Sequence, residues 1–115
     1  PAKPSSSEST AVTEEHAAGQ PSTFALEQNY PNPFNAATVI RFALPTAANV
    51  ELAIFNLAGQ KVTTLVQGAR EAGTYTINWD GRDDDGPALA SGVFLYRLRT
   101  GDGQQVETRK LVLVR

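Results

Sequence analysis

A chain of 115 residues with a formal net charge of −2 has room for one small domain at most. The near-neutral balance, with Lys and Arg scattered rather than grouped, argues against nucleic-acid binding. The lack of Cys excludes disulfides and thiolate metal sites, and no apolar run reaches the length of a membrane span.

Pro1 to Ser22 is built of Pro, Ser, Thr, Ala and Glu without an apolar period, so residues 1–22 read as a flexible, disordered tether and residues 23–115 as the folded domain. His16, the only histidine, falls in that tether and reads as a solvated residue. There is no Met, and the first residues lack the basic-then-apolar pattern of a signal peptide, so the chain is expected to be a processed product or a piece of a longer protein.

Phe24–Gln28 reads as a short first strand running into Asn29-Tyr-Pro-Asn-Pro-Phe-Asn35. Pro31 and Pro33 fix their own torsions and push Tyr30 and Asn32 into extended geometry. The expected result is a stiff corner at a sheet edge, with Tyr30 and Phe34 closing one end of the core; a rigid surface epitope is the other reading. Thr38–Leu44 alternates with Ile40, Phe42 and Leu44 inward and Arg41 outward, and Val50–Ile54 repeats the pattern. A turn centred on Gly59 leads to a short strand, Lys61–Leu65, making a hairpin. Gln67–Gly73 reads as a loop, Thr74–Trp79 as a strand with Tyr75, Ile77 and Trp79 inward, and Val93–Arg99 as its successor beyond a polar connection. Val106 and Leu111 lie on opposite phases, which predicts a bulge near Thr108–Lys110 or a last strand covered on both faces. The pattern predicts an all-β, Ig-like antiparallel β-sandwich of about seven strands.

The connection Asp80-Gly-Arg-Asp-Asp-Asp-Gly86 is the densest group of carboxylates. Asp83-x-Asp85-Gly86 has part of the spacing of a calcium loop, but Ala88, Leu89 and Ala90 stand where further oxygen ligands are needed. Asp side chains accepting bonds from the next amides explain Asp80, Asp83, Asp84 and Asp85 as turn residues without a metal. Ser91 has no histidine in the folded part to activate it, the acids crowd one loop rather than flank a cleft, and Gly101-Asp-Gly103 is too short to cradle phosphate. No catalytic residue, metal or cofactor is expected. A sugar-binding face would use aromatics, yet Tyr75, Trp79, Phe94 and Tyr96 all fall on inward phases; Tyr30 alone is an insecure core residue.

The segments LEQNYPNPFN, TVIRFALP, VELAIFNLAGQKV, AGTYTINWDGRDDDG, LASGVFLYRL and KLVLVR, in this order from Phe24 to Arg115, resemble a type A C-terminal sorting domain of the type IX secretion system. The block from Val50 to Leu98 is also similar to the Ig-like domain of flagellar hook-capping proteins. By position, the resemblance implies roles in sorting and recognition for Tyr30, Pro31, Asn32, Pro33, Gly59, Gly92, Tyr96, Arg97, Lys110, Leu111 and Leu113. Phe94 stands where Tyr is common, and Ala36 where Pro often follows. The last strand at the chain's end favours sorting over the flagellar reading.

The resemblance implies a β-sandwich carried by a larger, covalently linked upstream cargo. Its partners would be the outer-membrane translocon and shuttle proteins, then a surface sortase-type protease, and the cargo would travel through the periplasm to the cell surface or outside. Recognition would use strand addition, through an extended edge such as the final strand, or the outward Arg97 and Lys110. The competing expectation is a cell-surface adhesion module, or a protein- or carbohydrate-binding accessory module, of a secreted enzyme.

Overall fold

Alternating branched or aromatic residues give each extended segment one apolar face, and two such faces bury one another. The computed structural model describes residues 12–17, 21–84 and 86–115. These residues form eight strands: β1 (Val12–Ala17), β2 (Ala25–Leu26), β3 (Thr38–Leu44), β4 (Ala48–Phe55), β5 (Lys61–Arg70), β6 (Gly73–Trp79), β7 (Gly92–Thr100) and β8 (Val106–Leu113). They make two four-stranded antiparallel sheets, ordered β1-β6-β3-β2 and β5-β4-β7-β8. The chain is an all-β, Ig-like sandwich, with eight strands rather than about seven.

Between the sheets, Ile40, Phe42, Leu44, Tyr75, Ile77 and Trp79 face Val50, Leu52, Ile54, Phe94, Tyr96 and Leu98 in one hydrophobic core. Leu111 and Leu113 complete it from the last strand, at 0% and 1% exposure. Phe34 plugs the end of the core against Trp79, with ring centroids 5.7 Å apart. Burying one such side chain contributes about 1.5–3 kcal/mol.

Several expectations are corrected. Residues 12–17 of the expected tether form β1, paired along its whole length with β6; residues 1–11 and 18–20 of that tether lie outside the described residues. His16 is exposed, but it sits in this strand and stacks on Tyr75 (centroids 4.3 Å apart, 9° between planes). The first strand shrinks to Ala25–Leu26 because Asn29 and Pro31 turn the chain early. Residues 67–70 continue β5 instead of forming a loop, since Val50, Asn49 and Ala48 offer partners for Gly68, Ala69 and Arg70.

The register of β8 with β7 runs unbroken from Val106 to Leu113, so there is no bulge there, and Val106–Lys110 is exposed on both faces, not covered. The phase change arises because the core extends only to the second half of β8. Bulges fall instead between β4 and β5, at Leu52/Ala53 and Ile54/Phe55.

Candidate recognition surface

The corner at residues 29–35 is organised by an inward asparagine. Asn29 is buried; its Nδ2 donates to Thr38 Oγ1 (2.9 Å) and the Pro31 carbonyl (3.2 Å), and its Oδ1 accepts from Gln28 Nε2 (2.7 Å). Tyr30 pairs with Val39 through both its backbone groups, at 2.9 Å each. Alternation therefore turns the Tyr30 ring outward, where it is 78% exposed, and it does not close the core as expected. Pro31, Asn32 and Pro33 are exposed, and both X-Pro bonds are cis.

This corner zips onto the outer edge of β8. Asn32 Oδ1 accepts from the Val112 amide (2.9 Å), Phe34 N–H donates to the Val112 carbonyl (3.0 Å), and Val114 N–H donates to the Phe34 carbonyl (2.8 Å). Farther back, Gln28 Nε2 donates to the Lys110 carbonyl (2.8 Å), and Arg109 Nε to the Leu26 carbonyl (2.6 Å). An incoming strand would have to displace these partners, so the second half of β8 is not an open edge.

Tyr96 ties the corner to the core. Its hydroxyl donates to the Glu27 carbonyl (2.7 Å) and accepts from the Asn29 amide (2.8 Å). Burial pushes its phenol up to about 12 from the ordinary 10.0. Leu111 and Leu113 are likewise core residues. Gly59 lies at the tip of the β4–β5 hairpin with φ +84°, while Asn56 Oδ1 accepts from the Ala58 and Gln60 amides at 2.9 and 3.0 Å. Gly92 opens β7 opposite Leu113. These five positions shape the fold and present no side chain to a partner.

Arg97 and Lys110 point the other way. Register places Lys61, Phe55, Leu95 and Lys110 in one row across the outer face of the β5-β4-β7-β8 sheet. Thr64, Ala53, Arg97 and Thr108 form the next row, then Gln67, Glu51, Arg99 and Val106. Four cations thus share that face with one carboxylate. Glu51, its side chain 12% exposed, is reached by Lys61 (2.5 Å), Arg99 (3.2 Å) and Arg97 (3.7 Å). The bond from Lys61, followed by the charges of Lys61 and Arg99, holds the Glu51 carboxyl below its usual range. The Arg97 guanidinium lies 4.6 Å over the Phe55 ring, and its buried Nε has no hydrogen-bond partner. Lys61, Arg99 and Glu51 were absent from the sequence-derived set, although the same alternation that turned Arg97 outward marks all three.

The acidic connection is tied to β5 and to itself. Asp84 Oδ1 accepts from the Thr63 hydroxyl and the Thr64 amide, and Asp80 pairs with Arg82 at 3.2 Å. Arg82 donates to the Gly86 carbonyl (2.8 Å), and its own carbonyl accepts from Trp79 Nε1 (3.0 Å). Asp83 closes a turn in which its carbonyl accepts from the Gly86 amide. Among the described residues no group of three His, Asp or Glu side chains is placed to hold a metal; Asp85 lies outside them.

Among solved structures, the chain is similar to dimeric latent PorU from Porphyromonas gingivalis, with a TM-score of 0.62 and 17% identity, over 93% of this chain and 10% of that one. It is also similar to PorZ, described as an essential bacterial surface component of the type-IX secretion system of the same organism, with a TM-score of 0.50 and 20% identity, over 80% of this chain and 11% of that one. At these identities the likeness is one of fold, and the chain spans about a tenth of the length of either structure. No curated protein matches the chain. The FlgD Ig-like domain family matches residues 28–104, from the glutamine that leads into the corner to the turn beyond β7. That is more than half of the sequence, and the chain belongs to the FlgD Ig-like domain family.

Proposed function

We propose that this sandwich is a non-catalytic sorting domain that directs an upstream cargo through a type IX secretion system to the cell surface or outside. The observation that carries this reading is the likeness of nearly the whole chain to a small fraction of PorU, with PorZ as second neighbour, the relation expected of a module appended to larger surface proteins. The readers would be the outer-membrane translocon and shuttle proteins, followed by a surface sortase-type protease. The side chains best placed to be read are Tyr30, Pro31 and Pro33 at the corner, and Arg97, Arg99 and Lys110 on the outer sheet face.

Deleting Lys110–Arg115 is a poor test, because it removes Leu111 and Leu113 from the core and unfolds the reader's target along with any signal. Surface changes separate the two effects. The 115-residue chain fused to an inert reporter, in a host bearing the export machine, is expected to reach the medium or cell surface. Lys110→Glu, at an exposed side chain outside the Glu51 ion pairs, is expected to retain the reporter in the periplasm while leaving the thermal midpoint of the purified fusion nearly unchanged. Efficient export of that variant would count against recognition through this face, and retention of the unaltered fusion would count against sorting altogether.

The exposed Tyr30 ring favours one second reading, a carbohydrate- or protein-binding accessory module. On that reading Tyr30→Ala lowers retention on glycan or cell surface without altering export.

A further inference from the structure

β1 differs from the other strands in what holds it. None of Glu14–Ala17 belongs to the core, and all four are exposed. Its register with β6 runs from Val12↔Trp79 to Ala17↔Thr74. Among the described side chains, two add to this ladder. Glu14 meets Arg70 in a fork, Arg70 Nε to Oε2 at 2.7 Å and Arg70 Nη2 to Oε1 at 3.1 Å. His16 stacks on Tyr75, whose other side meets Phe42 (centroids 5.0 Å apart, 14° between planes), so three rings lie in register across β1, β6 and β3. Its Nε2 is 3.2 Å from the Ala72 carbonyl. Gly73 leaves the room: a Cβ there would fall 2.4 Å from His16 Nε2 and 2.6 Å from the Ala17 carbonyl oxygen.

Ordering six residues at an edge costs about as much as the ladder returns, and Glu14–Ala17 add little apolar burial to tip the balance. We propose that the outer edge of β6, with Arg70 and the Tyr75 ring, is a strand-binding site for an extended segment carrying a carboxylate and, two positions on, a flat ring, and that β1 is its exchangeable occupant in this chain. A partner segment with that pattern binds by taking the place of β1. The main-chain ladder supplies affinity, and the fork and the stack supply selectivity. The site is independent of the sorting role and lies on the sheet opposite to the cationic face.

The test uses the full chain and hydrogen exchange resolved at each β6 amide. In the unaltered chain, the β6 amides bonded to β1 exchange faster than those bonded to β3, reporting local opening. Glu14→Gln with His16→Ala speeds the first set about tenfold and leaves the second unchanged, the size expected for a partly exposed ion pair and one ring stack together. A peptide of residues 10–19, added in excess to the Glu14→Gln, His16→Ala chain, restores protection; the same peptide carrying both substitutions does not. Equal exchange of the two sets in both the unaltered chain and the double variant would make β1 an integral strand and overturn the proposal. Equal protection by the two peptides would overturn the selectivity.

Discussion

The Tyr96 hydroxyl is the residue-scale joint between the corner and the core. Tyr96→Phe keeps the ring but strands the Asn29 amide and the Glu27 carbonyl, both of which it bonds, in a site with little access to water. The expected cost is about 1–3 kcal/mol, read as a lower denaturant midpoint with an unchanged slope. The same corner shows why residue roles were only half legible. The apolar pattern marked Phe34 and Tyr96 correctly, but it gave Tyr30 an inward place that belongs to Asn29. A buried asparagine is favoured there because it answers Thr38, Pro31 and Gln28 at once, and a hydropathy pattern does not record such bonds.

At the scale of elements, the sequence was most informative where burial sets the pattern. The inward residues of β3, β4, β6 and β7 were read from alternation alone, because each of those strands presents one face to the core. β1 was missed because its described inward positions carry Glu14 and His16, held by an ion pair and a ring stack rather than by apolar burial. β5 was cut short because Gln67, Gly68 and Arg70 resemble a loop, yet β4 supplies their pairing.

Two substitutions probe single elements. Gly59→Ala places a Cβ in open space but in the left-handed region, so only backbone strain is felt; it is expected to cost about 1–2 kcal/mol, read from the thermal midpoint. Asn32→Ala removes the side-chain acceptor for the Val112 amide at the edge of β8. It is expected to cost about 0.5–1.5 kcal/mol and to accelerate exchange of that amide more than exchange of β7 amides.

For the molecule as a whole, stability should form a plateau in pH bounded by groups on the outer and inner faces of one sheet. The Glu51 carboxyl is held below its ordinary 4.5, so the folded state favours its charged form; that stabilisation is present above the unfolded value and fades as pH falls through the lowered one. The Tyr96 phenol is raised from 10.0 to about 12, so the folded state favours its neutral form; that stabilisation is complete below 10.0 and is lost as pH rises toward about 12. Tyr75 is shifted in the same sense, first by burial and then by Glu14, so Tyr96→Phe should flatten only part of the alkaline limb in pH-dependent thermal melts.

The acidic connection stands out in the sequence as one run, whereas the cationic outer face reads there only as scattered charges. Register is what gathers Lys61, Arg97 and Arg99 around Glu51 and sets Lys110 on the same face, and it depends on long-range pairing that no local window contains. The single indole of the chain, Trp79, lies where the Phe34 ring, the Arg82 carbonyl and the end of the β1 ladder converge. With no second tryptophan to dilute the signal, its emission becomes a dye-free optical gauge of that one junction, blue-shifted while the junction is dry and reddening once water enters.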